Sequence, residues 1–176
     1  MKNVLVTGAE GQLGLSLKKI ASNFTQYNFI YTDKDNLDIC KEEELKAFFE
    51  NNNLYCVLHF AAYTAVDKAE QEESLAEEIN SKATLNIAKL CAKHKTRLVY
   101  ISTDYVFEGK DCKPHSPQDM TNPLSVYGKT KLKGEENCLE NKQKGTLYDL
   151  RGSNKLYTFY RLARQPSRTF KSERAA

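Results

Sequence analysis

The chain has 176 residues, 40% of them hydrophobic and 28% charged, with ten Tyr and eight Phe. That is material for one packed domain; it excludes wholesale disorder and offers no apolar run near the roughly 20 residues of a membrane helix. The formal net charge of +3 averages two unlike parts, because residues 1–144 carry 19 basic and 21 acidic side chains while 145–176 carry 7 and 2. Arg97 is the only Arg before residue 145, whereas five of the seven basic residues after it are Arg. Residues 1–144 are therefore read as one domain, and 145–176 as an atypical basic tail, out of frame or otherwise foreign to it.

The opening M-K-N-V-L-V-T-G is too short an apolar stretch for a signal peptide and lacks a small-residue cleavage site, so a cytoplasmic protein is expected. Cys40, Cys56, Cys91, Cys112 and Cys138 are odd in number, widely spaced and without a C-x-x-C pair. They read as reduced, packed thiols, and with three scattered histidines they give no metal site.

Lys2 to Thr7 is a Val/Leu-rich run ending at Gly8, which predicts a buried strand. Gly11 to about Asn23 has Leu13, Leu17 and Ile20 at helical spacing, and Phe29 to Thr32 predicts a second strand closed by Asp33. Lys41 to Asn52 reads as a helix with Leu45, Phe48 and Phe49 on one face and Glu42 to Glu44 in the dipole-favoured first turn. Tyr55 to Phe60 is a third strand and Glu70 to Lys93 one long amphipathic helix with Leu75, Ile79, Leu85, Ile87 and Leu90. Arg97 to Ser102 is a fourth strand, Leu124 to about Asn141 a further helix, and a helical turn or two is expected around Asn154–Ala163. Strands alternating with helices predict βαβ units: an α/β fold with a doubly wound parallel sheet.

Strand one runs into Gly8-Ala9-Glu10-Gly11-Gln12-Leu13-Gly14. In this G-x-x-G-x-x-G, Gly8 permits the tight turn, Gly11 lets backbone approach a pyrophosphate at the helix N-terminus, and Gly14 allows close helix-on-strand packing. Asp33 ends strand two where an acid holds an adenosine ribose, which points to a dinucleotide. A carboxylate there favours NADH by repelling a 2′-phosphate; Lys34 beside it can pair with that phosphate, so NADPH and NADH both stay open.

Tyr127 and Lys131 stand four residues apart and share a helix face. An ammonium near a phenol stabilises phenolate, which would bring Tyr127 toward working pH as a proton donor. Strand four ends in Ser102-Thr103-Asp104-Tyr105, at the sheet edge where ligands of such folds bind. A hydroxyl there can hydrogen-bond a substrate carbonyl beside Tyr127.

These segments resemble the dTDP-4-dehydrorhamnose reductase family of extended short-chain dehydrogenase/reductases. The matching stretches are V-T-G-A-E-G-Q-L-G (6–14), L-D-I (37–39), A-A-Y-T-A-V-D-K-A-E (61–70), Ile79-Asn80, L-V-Y-I-S-T-D-Y-V-F (98–107) and N-P-L-S-V-Y-G-K-T-K-L-K-G-E (122–135). The resemblance covers roughly residues 1–140. It implies an NAD(P)-binding Rossmann-type domain and reduction of dTDP-4-dehydro-L-rhamnose to dTDP-L-rhamnose. It implies Thr103, Tyr127 and Lys131 as the catalytic set, with Thr103 and Asp104 reaching the sugar. The cofactor would be held by Gly8, Gly11, Gln12, Leu13, Gly14, Asp33, Asp38, Ile39, Ala62, Tyr63 and Thr64, together with Tyr127 and Lys131. Partners are then a small-molecule dTDP-sugar, no nucleic acid and no membrane, with a homodimer allowed by the family habit.

Two departures stand out. The family usually has Asn-x-Ala-Ala after strand three, where this chain has His59-Phe60-Ala61-Ala62; His59 reads as a packed, hydrogen-bonded side chain. The family continues with a fifth strand, an R-T-S-W-V-Y-G segment and a substrate domain, against G-T-L-Y-D-L-R-G-S (145–153) and no Trp here. The expected architecture is therefore a Rossmann-type sheet truncated before the substrate domain. An alternative is a non-catalytic, cofactor-bound module resembling the regulatory subunit of methionine adenosyltransferase.

Overall fold

The computed structural model describes residues 1–109, 115–116, 119–141, 147–152 and 158–162. Six strands form one sheet: β1 (Lys2–Thr7), β2 (Tyr27–Thr32), β3 (Leu54–His59), β4 (Arg97–Thr103), β5 (Leu147–Gly152) and β6 (Thr158–Leu162). Their order is β2-β1-β3-β4-β5-β6, parallel through β5, with β6 antiparallel to β5. From β1 the chain moves outward to β2 and then crosses back to β3. The winding reverses between β1 and β3, and such a switch point opens a crevice beyond the carboxyl ends of the strands.

Helices cover both faces. Leu5 of β1 and Val57 of β3 turn to one side, where Leu45 and Phe49 of α2 (Glu42–Asn51) and Ile87, Leu90 and Cys91 of α5 (Ala83–Lys93) close over them. Burying each large aliphatic side chain contributes roughly 2 kcal/mol. Val4 and Val6 turn to the opposite side, toward Leu17 of α1 (Gln12–Ile20) and the half-buried Tyr27, Phe29 and Tyr31. The doubly wound α/β reading of the sequence is thus the observed fold.

Several local expectations shift. Leu13 and Ile20 of α1 are exposed, and Gly14 is the helix's only buried residue. A glycine is what fits there, because a Cβ at Gly14 would overlap the Ala9 backbone. β2 is the sheet edge and is half-buried over most of its length, with Asn28 exposed and Thr32 buried. The helix expected over 70–93 is observed as one continuous helical run, α4 (Glu73–Glu77), a π-turn (Glu78–Lys82) and α5, preceded by the short α3 (Val66–Ala69). The helical turns expected around Asn154–Ala163 are replaced over Thr158–Leu162 by β6, as its Thr, Phe and Tyr favour; the rest of that stretch lies outside the described residues. β5 pairs with β4 in register from Leu98↔Leu147 to Thr103↔Gly152, so the sheet does not end at residue 144.

The last long helix, α6 (Val126–Glu140), lies against the π-turn and β4. Its N-terminus is doubly held: the Ser125 hydroxyl accepts the Gly128 N–H at 3.0 Å, and a Glu70 carboxylate oxygen accepts that of Val126 at 2.8 Å. Cys56, Cys91 and Cys138 are buried and Cys40 is half-buried, all as free thiols; Cys112 lies outside the described residues. Among the described residues no helix is long and apolar enough to cross a membrane, and no cluster of His, Cys, Asp and Glu could hold a metal.

Candidate functional site

A cleft of about 850 Å³ opens at the β1/β3 switch point. Its floor is the turn after β1, where Gly8 has φ +66° and a Cβ would come within 2.6 Å of the Ala61 amide nitrogen. Only glycine meets both demands. Gly11 precedes α1 with no side-chain cap, and the amides of the first turn from Gln12 face outward with the positive end of the helix dipole. Gly8, Gly11, Gln12, Leu13, Asp33, Lys34, Asp38, Ile39, Ala62 and Thr64 all line this cleft. Leu75 and Ile79, which looked like core positions of a long helix, line it as well.

Asp33 is fixed at the rim. One carboxylate oxygen accepts the Glu10 N–H at 3.0 Å and the other accepts the Lys34 N–H at 2.8 Å. Opposite, the segment after β3 is pinned to the phosphate-loop strand, since the Thr7 hydroxyl accepts the Ala61 N–H at 3.3 Å. Tyr63 is not among the lining residues: its hydroxyl donates to Glu72 at 2.6 Å, which raises the phenol to about 12. Gly14 lies behind the cleft, packing helix on loop.

The second cluster stands where β4 ends. Thr103 is buried, and its hydroxyl accepts the Tyr105 N–H at 3.2 Å while donating toward Asp104 at 3.2 Å. Gly128 lets the first turn of α6 rest on the Tyr105 carbonyl, where any side chain would overlap. That contact brings Tyr127 beside Thr103, and the Tyr105 ring meets the Tyr127 ring edge-on at 5.6 Å. Burial pushes the Tyr127 phenol above its usual 10, a Thr103 hydrogen bond pulls it down, and Asp104 and Tyr105 push it up again.

Lys131 is anchored at the end of β4. It shares the α6 face with Tyr127, yet its Nζ donates to the Ile101 carbonyl at 2.5 Å and lies 4.1 Å from the centre of the Tyr100 ring. Burial outweighs the Thr103 hydrogen bond, so the Tyr127 phenol is held above its usual value. One helical turn further, the buried Glu135 carboxylate accepts from Ser102.

His59 is fully buried, bonded through Nδ1 to Thr7 at 2.7 Å and through Nε2 to Thr84 at 3.1 Å. Burial, then the Lys131 ammonium, lowers its pKa to about 3. It is the packed histidine that the sequence suggested. The sequence reading quoted Asn80, Gly128 and Gly134 within matching stretches but gave them no role: Asn80 of the π-turn is buried and bonded to both Tyr63 and Thr130, and the two glycines allow close packing. Their signal was a helical stretch interrupted by residues of low helix propensity.

The RmlD substrate binding domain family model matches residues 1–170. Among curated proteins, dTDP-4-dehydrorhamnose reductase of Aggregatibacter actinomycetemcomitans is 33% identical over 93% of this chain and 58% of its own length. Spore coat polysaccharide biosynthesis protein SpsK of Bacillus subtilis is 34% identical over 93% of this chain and 59% of its own. Among solved structures, dTDP-4-dehydrorhamnose reductase of Bacillus anthracis in complex with NADP superposes with a TM-score of 0.81, at 34% identity, over 86% of this chain and 53% of that one. The chain spans about half the length of the curated relatives it matches. Likeness expected over roughly 1–140 therefore runs on, in the family model, into the segment that holds β5 and β6.

Proposed function

Because the chain belongs to the RmlD substrate binding domain family, we propose that it works as an NAD(P)H-dependent reductase of a nucleotide-linked 4-keto-6-deoxysugar, dTDP-4-dehydro-L-rhamnose giving dTDP-L-rhamnose. The observation that carries the reading is the pairing of Thr103 with Tyr127 at the carboxyl edge of the same sheet whose switch point holds the glycine-walled cleft. NADPH or NADH fits that cleft chemically: helix-end amides at Gln12 and Leu13 suit a pyrophosphate, Asp33 or Lys34 the adenosine ribose, and Asp38, Ile39, Ala62 and Thr64 the walls around it.

A bound reduced nicotinamide supplies the hydride that the sugar ketone accepts at C4. Thr103 hydrogen-bonds the ketone oxygen and orients it toward Tyr127. Tyr127 holds its proton at Oη, because burial keeps the phenol above its usual pKa, and delivers it as the oxygen gains charge. Lys131 steadies Tyr127 and the nicotinamide ribose once its Nζ leaves the Ile101 carbonyl. Asp104, exposed beside Thr103, meets the sugar hydroxyls. Residues 1–144 form the cofactor-binding domain in this reading and 145–176 a segment of different character. The enzyme acts in the cytoplasm on a small-molecule dTDP-sugar, without a nucleic-acid partner, and a homodimer suits it.

The test mixes the chain with dTDP-4-dehydro-L-rhamnose and each reduced nicotinamide and follows loss of nicotinamide absorbance. Tyr127→Phe should abolish turnover while cofactor affinity stays within about twofold, a phenyl ring keeping the packing but not the proton. Undiminished turnover in that variant rejects the assignment.

A further inference from the structure

Tyr127 is the second residue of α6, so its place is set by the first turn of that helix. The first amides of a helix have no partner within it, and Val126 is buried, so its N–H needs an acceptor from elsewhere. Ser125 takes only the Gly128 N–H, at 3.0 Å. The Val126 N–H goes to a carboxylate oxygen of Glu70 at 2.8 Å, from a residue 56 positions earlier in the chain.

α6 carries no acidic residue in its own first turn. Glu70 supplies that charge from the end of α3, where a carboxylate meets the positive end of the helix dipole. A backbone N–H bonded to an ionised carboxylate is held about twice as strongly as by a neutral acceptor. The Val126 side chain docks in the same place: it packs with Ala69 of α3 and Ala76 of α4, and Tyr63 and Tyr127 lie against that cluster. On the other flank of Tyr127, Gly128 rests on the Tyr105 carbonyl, where a Cβ would overlap. The residues before and after Tyr127 are thus gripped by two different elements. Val126 is held by the stretch that follows the cleft residues Ala62 and Thr64, and Gly128 by the turn that follows Thr103.

We propose that Glu70 is a positioning residue: by holding the Val126 N–H it fixes the first turn of α6, and with it the Tyr127 hydroxyl, relative to Thr103. The kinetic consequence rests on the reductase reading; the tether itself does not.

The experiment compares the full wild-type chain with Glu70→Ala, Glu70→Gln and Val126→Pro by keto-sugar turnover, by NADH and NADPH titration, and by the NMR shifts of the Tyr127 ring protons. Glu70→Ala leaves the Val126 amide unpaired, so kcat should fall about tenfold while cofactor affinity stays within about twofold, the glycine-walled cleft being untouched. Glu70→Gln keeps an acceptor on a side chain of the same length and should restore kcat to within about threefold. Val126→Pro removes the donor instead. Proline suits a first helical position, and Ser125 before it is already extended at φ −84° and ψ 155°, so this variant keeps the fold. Its kcat should fall as in Glu70→Ala. The Tyr127 ring protons, displaced in wild type by the edge-on Tyr105 ring, should move in both impaired variants and stay in place in Glu70→Gln. A merely structural cap predicts a lower melting temperature with unchanged kcat in the folded protein, and that result overturns the proposal. Equal losses in kcat and cofactor affinity, or Glu70→Gln as impaired as Glu70→Ala, overturn it too. If Glu70→Ala fails to fold, Val126→Pro decides alone. If the wild type turns nothing over, the reductase reading fails, and the Tyr127 ring shifts still decide the tether.

Discussion

The Nε2–H of His59 donates to the Thr84 hydroxyl, and the direction is forced: Thr84 has one hydrogen and gives it to the Asn80 carbonyl at 2.9 Å. Nδ1 is therefore the acceptor, taking the Thr7 hydroxyl hydrogen, while Thr7 oxygen takes the Ala61 N–H. The imidazole is locked neutral in one tautomer between the end of β1 and the helix that follows the π-turn. Protonating it would break the bond to Thr7 inside a region that also holds the Lys131 ammonium and the Tyr100 ring.

The first prediction concerns acid stability. The folded pKa of His59 is lowered to about 3 from 6.5, so the unfolded chain binds this proton first. Its contribution is full above the unfolded value and is lost as pH falls below it. Between pH 6.5 and about pH 5 the loss is about 2 kcal/mol. Glu72 and Asp119 have lowered pKa values of their own and titrate beneath this window. Urea unfolding across it should show the slope in wild type and no slope in His59→Asn, whatever the variant's overall level. Parallel pH profiles for the two proteins would reject the assignment.

A second prediction follows from the Thr103 hydrogen bond, which lowers a Tyr127 phenol that burial raises. Reduction needs the protonated phenol, so its rate should not decline on the alkaline side until about pH 10 or beyond. Thr103→Val removes both the bond and the donor to the ketone, and kcat should fall about 100-fold or more. An alkaline limb near neutrality in wild type would mean that Lys131 controls Tyr127 after all.

Much of this was legible in the sequence because it rests on local rules. The β1 run, Gly8 and Asp33 follow from strand pattern, turn geometry and spacing, and Tyr127 and Lys131 share a helix face by arithmetic. What escaped depends on partners remote in sequence. Lys131 turns to Ile101 because the strand end offers a carbonyl that no helical wheel contains. The π-turn sets Asn80 against Tyr63, seventeen positions away, a pairing that no local pattern encodes. Charge and Arg usage divided the chain at residue 144, but strand pairing responds to backbone and β-propensity, and β5 and β6 form beyond that point.

A third prediction takes Gly134, where a Cβ would overlap the Tyr100 hydroxyl and crowd the Asn80 carbonyl. Alanine gains roughly 1 kcal/mol in helix propensity at this interior position. It also pushes α6 from the π-turn and breaks the Tyr100 hydroxyl bond to the Lys131 carbonyl at 3.2 Å. The steric loss should win, with Gly134→Ala destabilised by about 2 kcal/mol in thermal unfolding. A stabilised variant would show that the helix can shift without cost.

The last prediction concerns which nicotinamide is taken. Both Asp33 oxygens are anchored by backbone amides, so the carboxylate cannot swing from the rim without losing two hydrogen bonds. Held there, it accepts from ribose hydroxyls and repels a 2′-phosphate. Lys34 lines the same cleft with a flexible ammonium of opposite sign. The two side chains act on different cofactors, so each can be removed separately. Asp33→Ser should shift relative affinity toward NADPH by about tenfold, mostly by weakening NADH. Lys34→Ala should weaken NADPH by about tenfold and leave NADH nearly unchanged, since only the phosphate meets the ammonium. Titration of both variants with both nucleotides measures the four values, and equal weakening of NADH and NADPH in either variant would show that the rim does not read the 2′ position.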